Sequence, residues 1–329
     1  MRVGRPTIAL GSELGPNFVL STVYSMLLMI RVFGTVFAAL MGLAFGSFLN
    51  VCLTRWPAGE SIVKPRSYCR NCGRTLAWWE NVPLISWLAL RGRCRTCGTC
   101  IGWRYVVVEA VVGALWAFMA WRNTDLLFVD FREPSIFIYY PLSRLVGGMA
   151  LSWLLVALAT LDAENLWLPN LITLPGIILG LLLYVADATV GAISPWDDPV
   201  HAARSSEVLR GVAHETILRL LEIVVAAGLI LLIRWLYKLI RHREGLGLGD
   251  AKLMAMLAAW LGLPGALLSF AIGVVLGSLV AIVLLVRRRE GESWSAMKLP
   301  LGTFLCIGGI VSSLWGQPII AAYMRWAGF

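Results

Sequence analysis

From Leu253 to Val286 no position carries a charged side chain, and the same holds from Leu299 to Met324. Apolar runs of this length have few homes. The hydrocarbon core of a bilayer takes roughly 20 apolar residues as helix, and only helices and closed barrels satisfy every backbone polar group inside it. The composition agrees: 59% of the residues are hydrophobic and only 14% are charged, against about 25% in soluble domains. The expected fold is an all-α polytopic membrane protein. The apolar pattern predicts about eight transmembrane helices, over residues 24–51, 106–122, 139–161, 171–189, 212–234, 251–263, 266–286 and 300–324. The sixth is short and ends at Pro264-Gly265, so it either spans or re-enters. Leu253–Val286 as one helix would measure about 51 Å, too long for one crossing and short for two.

The net charge of +9 is unevenly spread. Residues 55–105, 234–252 and 287–298 hold 18 of the 28 Lys and Arg, whereas 123–138 and 190–208 hold one each. Basic loops stay on the cytoplasmic side. This places all three basic segments inside the cell and the polar loop 190–211 outside. No nucleic-acid-binding module accompanies the charge, so the expected surroundings are the lipid bilayer and no nucleic acid. Nothing in the pattern sets an oligomeric state. Three units follow: 1–54, a tail and the first transmembrane helix; 55–105, a cytoplasmic insert; and 106–329, the remaining bundle.

The insert is too small to build a core of its own without a staple. Its cysteines supply one. Cys69-Arg-Asn-Cys72 and Cys94-Arg-Thr-Cys97 are two CxxC pairs, the spacing of a tetrahedral Zn²⁺ site with one pair per knuckle. Thiols stay reduced on the cytoplasmic side, which disfavours disulfides. Four thiolates would close the metal shell and leave no catalytic water. Cys100 follows Cys97 at the same spacing and could replace a ligand or stand spare. Cys52 and Cys306 fall in apolar runs and are expected to pack.

Two acidic residues stand where hydrocarbon begins. Asp162 ends the run Leu145–Leu161 within DAENLWLPN, and Asp250 precedes Leu253–Val286 within GLGLGDAK. Ionisable groups at membrane depth are costly and read as functional by default. Two of them suggest acid–base chemistry on a water molecule. A structural role competes for Asp250, which can cap the helix it begins and has Lys252 nearby. Asp162 is harder to explain as a cap, because a helix C-terminus disfavours negative charge. The dipoles alone would make Asp250 the ionised general base and Asp162 the protonated partner. Gly247 and Gly249 can let backbone lie close to an extended substrate. The histidines are His201, His214 and His242, and the first two fall away from both aspartates, so a Ser-His-Asp triad is not expected.

With these residues in place, the chain resembles the type IV prepilin peptidases from about residue 45 onward. GSFLNV at 46–51, the cysteine insert, IGWRYVVVEA at 101–110, Asp162 with Leu168-Pro169-Asn170, GLGLGDAKL and PLGTFL at 300–305 occur in the family's order. The resemblance implies a GxGD-type membrane aspartic peptidase of the bacterial inner membrane. It would remove the basic leader of prepilins and pseudopilins at the cytoplasmic face. It would then N-methylate the new terminus with S-adenosylmethionine. Asp162 and Asp250 are then the catalytic dyad, and Cys69, Cys72, Cys94 and Cys97 the ligands of a structural zinc in the part linked to methylation. Gly247, Gly249 and Lys252 fall beside the substrate. Glu164 would attract the basic leader. Arg70, Val106 and Thr303 stand where the family often has proline, and Cys100 is additional. Two other readings compete. One is another GxGD-type intramembrane protease, which has no evident need of a zinc insert. The other is a proton-coupled transporter or membrane scaffold, which would place its carboxylates near mid-span.

Overall fold

The computed structural model describes residues 16–123, 139–192, 205–242, 247–287 and 299–328. The first long helix, α1 (Pro16–Arg55), leads into a short insert with a 3₁₀ turn at Trp78–Asn81 and a brief α2 (Ile85–Ala89). Five long helices follow: α3 (Arg104–Asn123), α4 (Tyr139–Asn165), α5 (Asn170–Ala192), α6 (Ser205–Arg241) and α7 (Leu248–Val286). A last helix, α8 (Leu301–Ala327), completes the chain. Among the described residues there are no strands, only two isolated bridges inside the insert. Among the described residues, seven helices are long and apolar enough to cross a membrane. Most of the expected outer loop 190–211, the third basic segment and part of GLGLG fall outside the described residues.

The count of seven departs from eight at one place. The expected sixth and seventh spans are one hydrogen-bonded run, α7, and the run is broken at Gly262, whose φ of 73° and ψ of 173° are not helical. Glycine tolerates that conformation and other residues do not; Pro264 adds a missing donor just beyond. The contacts show that the chain reverses there. Gly249 and Gly302 both pack on Leu168 and Leu257 packs on Gly309, so the first arm runs parallel to α8. After the break, the Ser312 hydroxyl donates to the Gly265 carbonyl, Ser269 meets Gly308, Gly273 meets Leu305 and Gly277 meets Phe304. The second arm therefore runs back antiparallel to α8. The first arm, 248–261, measures about 21 Å at 1.5 Å per residue, short of the roughly 30 Å of hydrocarbon. The expected eight-segment pattern survives as two antiparallel arms of one helix.

That short arm is the centre of the molecule. Ala251 and every residue from Leu253 to Ala259 are buried, as expected of a helix that is apolar all round and enclosed by protein. Leu155, Leu158 and Leu161 of α4, Ile172 of α5, Ile230 of α6 and Leu305 of α8 belong to the same core. The outward faces stay apolar and exposed, for example Ile217, Leu221, Val224 and Trp235 along α6, which is the pattern of a surface that meets lipid.

The helix ends sort into two groups. Arg122 at the end of α3 donates to the Leu314 carbonyl far along α8. At the other end, Arg104 of α3 pairs with Glu164 of α4 at 2.7 Å, and Lys252 of α7 donates to the Asn170 side chain of α5 at 2.6 Å. The insert between α1 and α3, the C-terminus of α4 and the N-termini of α5, α7 and α8 thus share one end of the bundle.

Candidate active site

Asp162 sits in the last turn of α4, where the run Leu151–Leu161 has just buried its apolar face. Asp250 sits in the first turn of α7, three residues after the Gly247 cap position. Both are buried, at 6% and 8% exposure, although neither has an ion-pair partner among the described residues. The two carboxylates lie within electrostatic reach of each other and of the Cys306 thiol beneath them. The structure thus brings together two aspartates from segments nearly ninety positions apart in sequence.

Each carboxylate is held by backbone donors. Asp162 Oδ2 accepts the Thr303 N–H at 2.7 Å, with the Thr303 hydroxyl 3.2 Å away. Asp250 Oδ2 accepts the Gly247 N–H at 3.1 Å. This second bond is the helix cap that competed as the reason for Asp250, and the residue makes it while facing Asp162. The Lys252 ammonium does not neutralise Asp250; it is committed to Asn170. Leu168 roofs the pair. A methyl group built on Gly249 would lie 3.0 Å from the Leu168 Cβ, and one built on Gly302 would lie 2.9 Å from both Leu168 Cδ1 and Asp162 Oδ2.

By its own helix alone, Asp162 stands at an unfavourable C-terminus. In the fold the N-terminus of α8 points at the same carboxylate and delivers the Thr303 amide to it. Both aspartates therefore stand at helix N-termini, where anions are favoured. Gly302, Thr303 and Asn170 are the site residues that reasoning by residue type missed. Only their place in the quoted strings PLGTFL and LPN marked them. Thr303 is notable because a proline there would have no N–H to give Asp162. Glu164, expected to attract a basic leader, is paired with Arg104 at 2.7 Å.

The cysteine insert lies at the same end. The four sulfurs of Cys69, Cys72, Cys94 and Cys97 are all within 4.8 Å of one another, and Cys69 Sγ to Cys97 Sγ is 3.7 Å. A tetrahedral ion about 2.3 Å from each thiolate would separate the sulfurs by about 3.8 Å, so the group could hold one metal ion. The two halves are backbone twins. Cys69 N–H donates to Arg74, Gly73 N–H to Cys69, Cys94 N–H to Thr99 and Gly98 N–H to Cys94, each at 2.9 Å. Gly73 and Gly98 both take a positive φ to close these turns. Bridges Tyr68–Thr75 and Arg93–Cys100 complete each knuckle. Cys100 is thereby the twin of Thr75, a closing position, and it stands outside the sulfur group. Hydrogen bonds from the Thr99 side chain and amide, and from Asn71, pull the Cys97 thiol down to about 5, which favours the thiolate a metal needs. Around the knuckles, the buried Glu80 carboxylate accepts Arg74 at 2.7 Å and the Ala77 N–H at 2.8 Å. Arg55 spends its guanidinium on the carbonyls of Ser61 and Pro65.

Comparison with known proteins finds two family models on separate parts of the chain. Residues 40–123 match the model of the bacterial peptidase A24 N-terminal domain, and 149–282 match that of the type IV leader peptidase family. A prepilin leader peptidase/N-methyltransferase of Pseudomonas putida is 32% identical over 330 residues, covering 94% of this chain and 100% of that protein. Its counterparts in Pseudomonas aeruginosa and Stutzerimonas stutzeri are 32% and 31% identical, each covering 88% of this chain and 93% of the relative. No solved structure matches. With two aspartates converging beneath a four-cysteine insert and relatives this similar along nearly its whole length, the chain belongs to the type IV leader peptidase family.

Proposed function

We propose that this protein removes the leader of type IV prepilins and pseudopilins and N-methylates the new amino terminus with S-adenosylmethionine. The observation that carries the reading is the meeting of Asp162 and Asp250. Two buried carboxylates with no cationic partner among the described residues, at the ends of helices that bury everything else, have no evident structural need to face each other.

The chemistry follows from the arrangement. Two carboxylates in one site cannot both ionise cheaply, so the pair carries one proton between them and titrates as a unit. A water held between them loses a proton to the ionised member as it attacks the scissile carbonyl, while the protonated member hydrogen-bonds the carbonyl oxygen. With both aspartates at helix N-termini, the fold does not favour one as base through dipoles alone. The donor on Asp162 orients that carboxylate; the cap on Asp250 orients the other. Glycines 247 and 249 line the approach, and Leu168 closes it above. A leader must be unwound to be cut, and unwound backbone is tolerated only against protein or water, which the end of the short α7 arm supplies.

The active end faces the cytoplasm in this reading, because the basic segments 55–105 and 234–252 gather there. The four thiolates hold a structural Zn²⁺ that folds the insert, with no open position for chemistry. Cleavage belongs to residues 106–329 and methylation depends on 55–105. The insert and the edge position of the aspartates weigh against another intramembrane protease and against a proton-coupled transporter. The test is cleavage of a prepilin-like precursor by membranes carrying wild type, Asp162→Asn or Asp250→Asn, with the product's N-terminus weighed. Loss of cleavage in each variant and one added methylene on the wild-type product are expected. Wild-type rates from either variant would sink the dyad.

A further inference from the structure

A cavity of about 500 Å³ lies between the cysteine insert and the facing ends of α1 and α3, within the roughly 300–1,000 Å³ of small-molecule sites. Its polar wall is unbalanced. Glu109 is 8% exposed and accepts the Leu84 N–H at 2.8 Å on one oxygen, yet it has no ion-pair partner among the described residues. Asn50 is 2% exposed; its Nδ2 donates to the Tyr105 carbonyl at 2.9 Å, and its Oδ1 is buried with no partner at all. Most of the nearby cations are committed elsewhere: Arg55 to backbone carbonyls, Arg70 to Glu60, Arg104 to Glu164. A buried carboxylate with no cation beside it and a buried amide oxygen with no donor are each costly, and the pair asks for a cation with N–H groups. Tyr68, Trp87 and Tyr105 supply flat apolar faces around the same space.

We propose that this cavity binds the methyl donor, an adenosyl sulfonium, with Glu109 and Asn50 meeting its cationic amino-acid end and the aromatic rings flanking its base. The proposal rests on the methyl-transfer half of the function above. Its position suits that half. Thr54 lines the cavity and accepts Arg104 Nη2 at 3.0 Å, and Arg104 Nη1 reaches Glu164, two residues beyond Asp162. The cavity wall is therefore joined through Arg104 and Glu164 to the helix end that carries Asp162, at the same end of the bundle. When bound, the donor supplies an electrophilic methyl; the amine's lone pair takes it, and the carbon–sulfur electron pair stays on sulfur.

The test is calorimetric binding of S-adenosylhomocysteine and S-adenosylmethionine to the full-length, zinc-loaded protein in nanodiscs. Zinc content and melting temperature report the fold of each variant. Glu109→Gln should weaken both ligands at least tenfold. Ser86→Trp, at a half-buried position of the lining, should abolish binding by filling the space and stands in if Glu109→Gln fails to fold. Wild-type affinity in folded Glu109→Gln and Ser86→Trp proteins would overturn the site while leaving methyl transfer standing. A wild-type protein that binds neither ligand would overturn the methyl-transfer reading itself. A basic leader peptide that needs Glu109 when the nucleosides do not would assign the cavity to the substrate and also overturn the proposal.

Discussion

The aspartate pair and the cysteine cluster sit at the same end of one molecule and are built by opposite means. The pair is carried by apolar packing: Leu155, Leu158, Leu161, Leu253, Met254 and Leu257 are fully buried directly behind it. The cluster has almost none of that. Of its four cysteines only Cys94 is buried, and Trp78, Ile85 and Leu88 around it are exposed. One site is held by the packing of the bundle; the other is held by its cysteines and a few hydrogen bonds. The difference teaches where each half of the protein is vulnerable.

The largest expected effect is on the cluster. Structural zinc supplies on the order of 10 kcal/mol to small cysteine modules. Stripping the metal, or replacing Cys72 with Ser, should therefore unfold residues 56–103 and expose them to protease. The helical bundle should melt as before. Limited proteolysis alongside circular dichroism reads both; a bundle that melts with the insert would break the contrast. The next effect is on the pair. Asp162→Asn and Asp250→Asn should each slow cleavage by roughly 10²–10⁴-fold, the usual weight of one acid–base group. Methylation of a pilin that already lacks its leader should continue, and its loss would mean that the two sites are not separable.

A smaller effect sharpens the packing side. Gly302→Ala places a methyl 2.9 Å from Asp162 Oδ2. Gly308→Ala, six residues along the same helix, drives one into the Ser269 carbonyl. Overpacking of this kind costs about 1–3 kcal/mol. The first should lower cleavage more than stability, and the second stability more than cleavage. Melting temperature and turnover measured together decide it; equal losses of both in the two variants would mean that Gly302 is only a packing residue.

The same contrast governs what the sequence could show. The helices were legible because long uncharged runs have no other home, and the four-cysteine cluster because CxxC spacing is local. Asp162 and Asp250 were legible one at a time. Hidden were the facts that depend on the neighbour across the bundle. The reversal at Gly262 was signalled by Pro264-Gly265 and by a length that fitted neither one span nor two. The amide of Thr303 on Asp162 joins residues 141 positions apart, and no residue type announces a backbone donor. Lys252 looked like the counter-ion of Asp250 because it is close in sequence. Asn170, beside it in space, takes the ammonium instead.

The smallest effect separates metal from protein within the insert. Glu80 is held below the ordinary carboxylate range first by the Arg74 guanidinium and then by the Ala77 N–H. Its contribution to the folded insert is therefore complete above about pH 4.5, the ordinary value, and fades as the pH falls through the depressed one. Acid also protonates the thiolates and releases metal, which would mask this in the wild type alone. Comparison with Glu80→Gln removes the mask, because the thiolates are common to both. Near neutral pH the variant's insert should be cut by protease a few-fold faster than the wild type's. The gap should narrow steadily below about pH 4.5 as Glu80 takes up its proton. A gap that persists unchanged into acid would show that the glutamate acts by shape and not by charge. The insert would then owe its rigidity to the sulfur cluster alone.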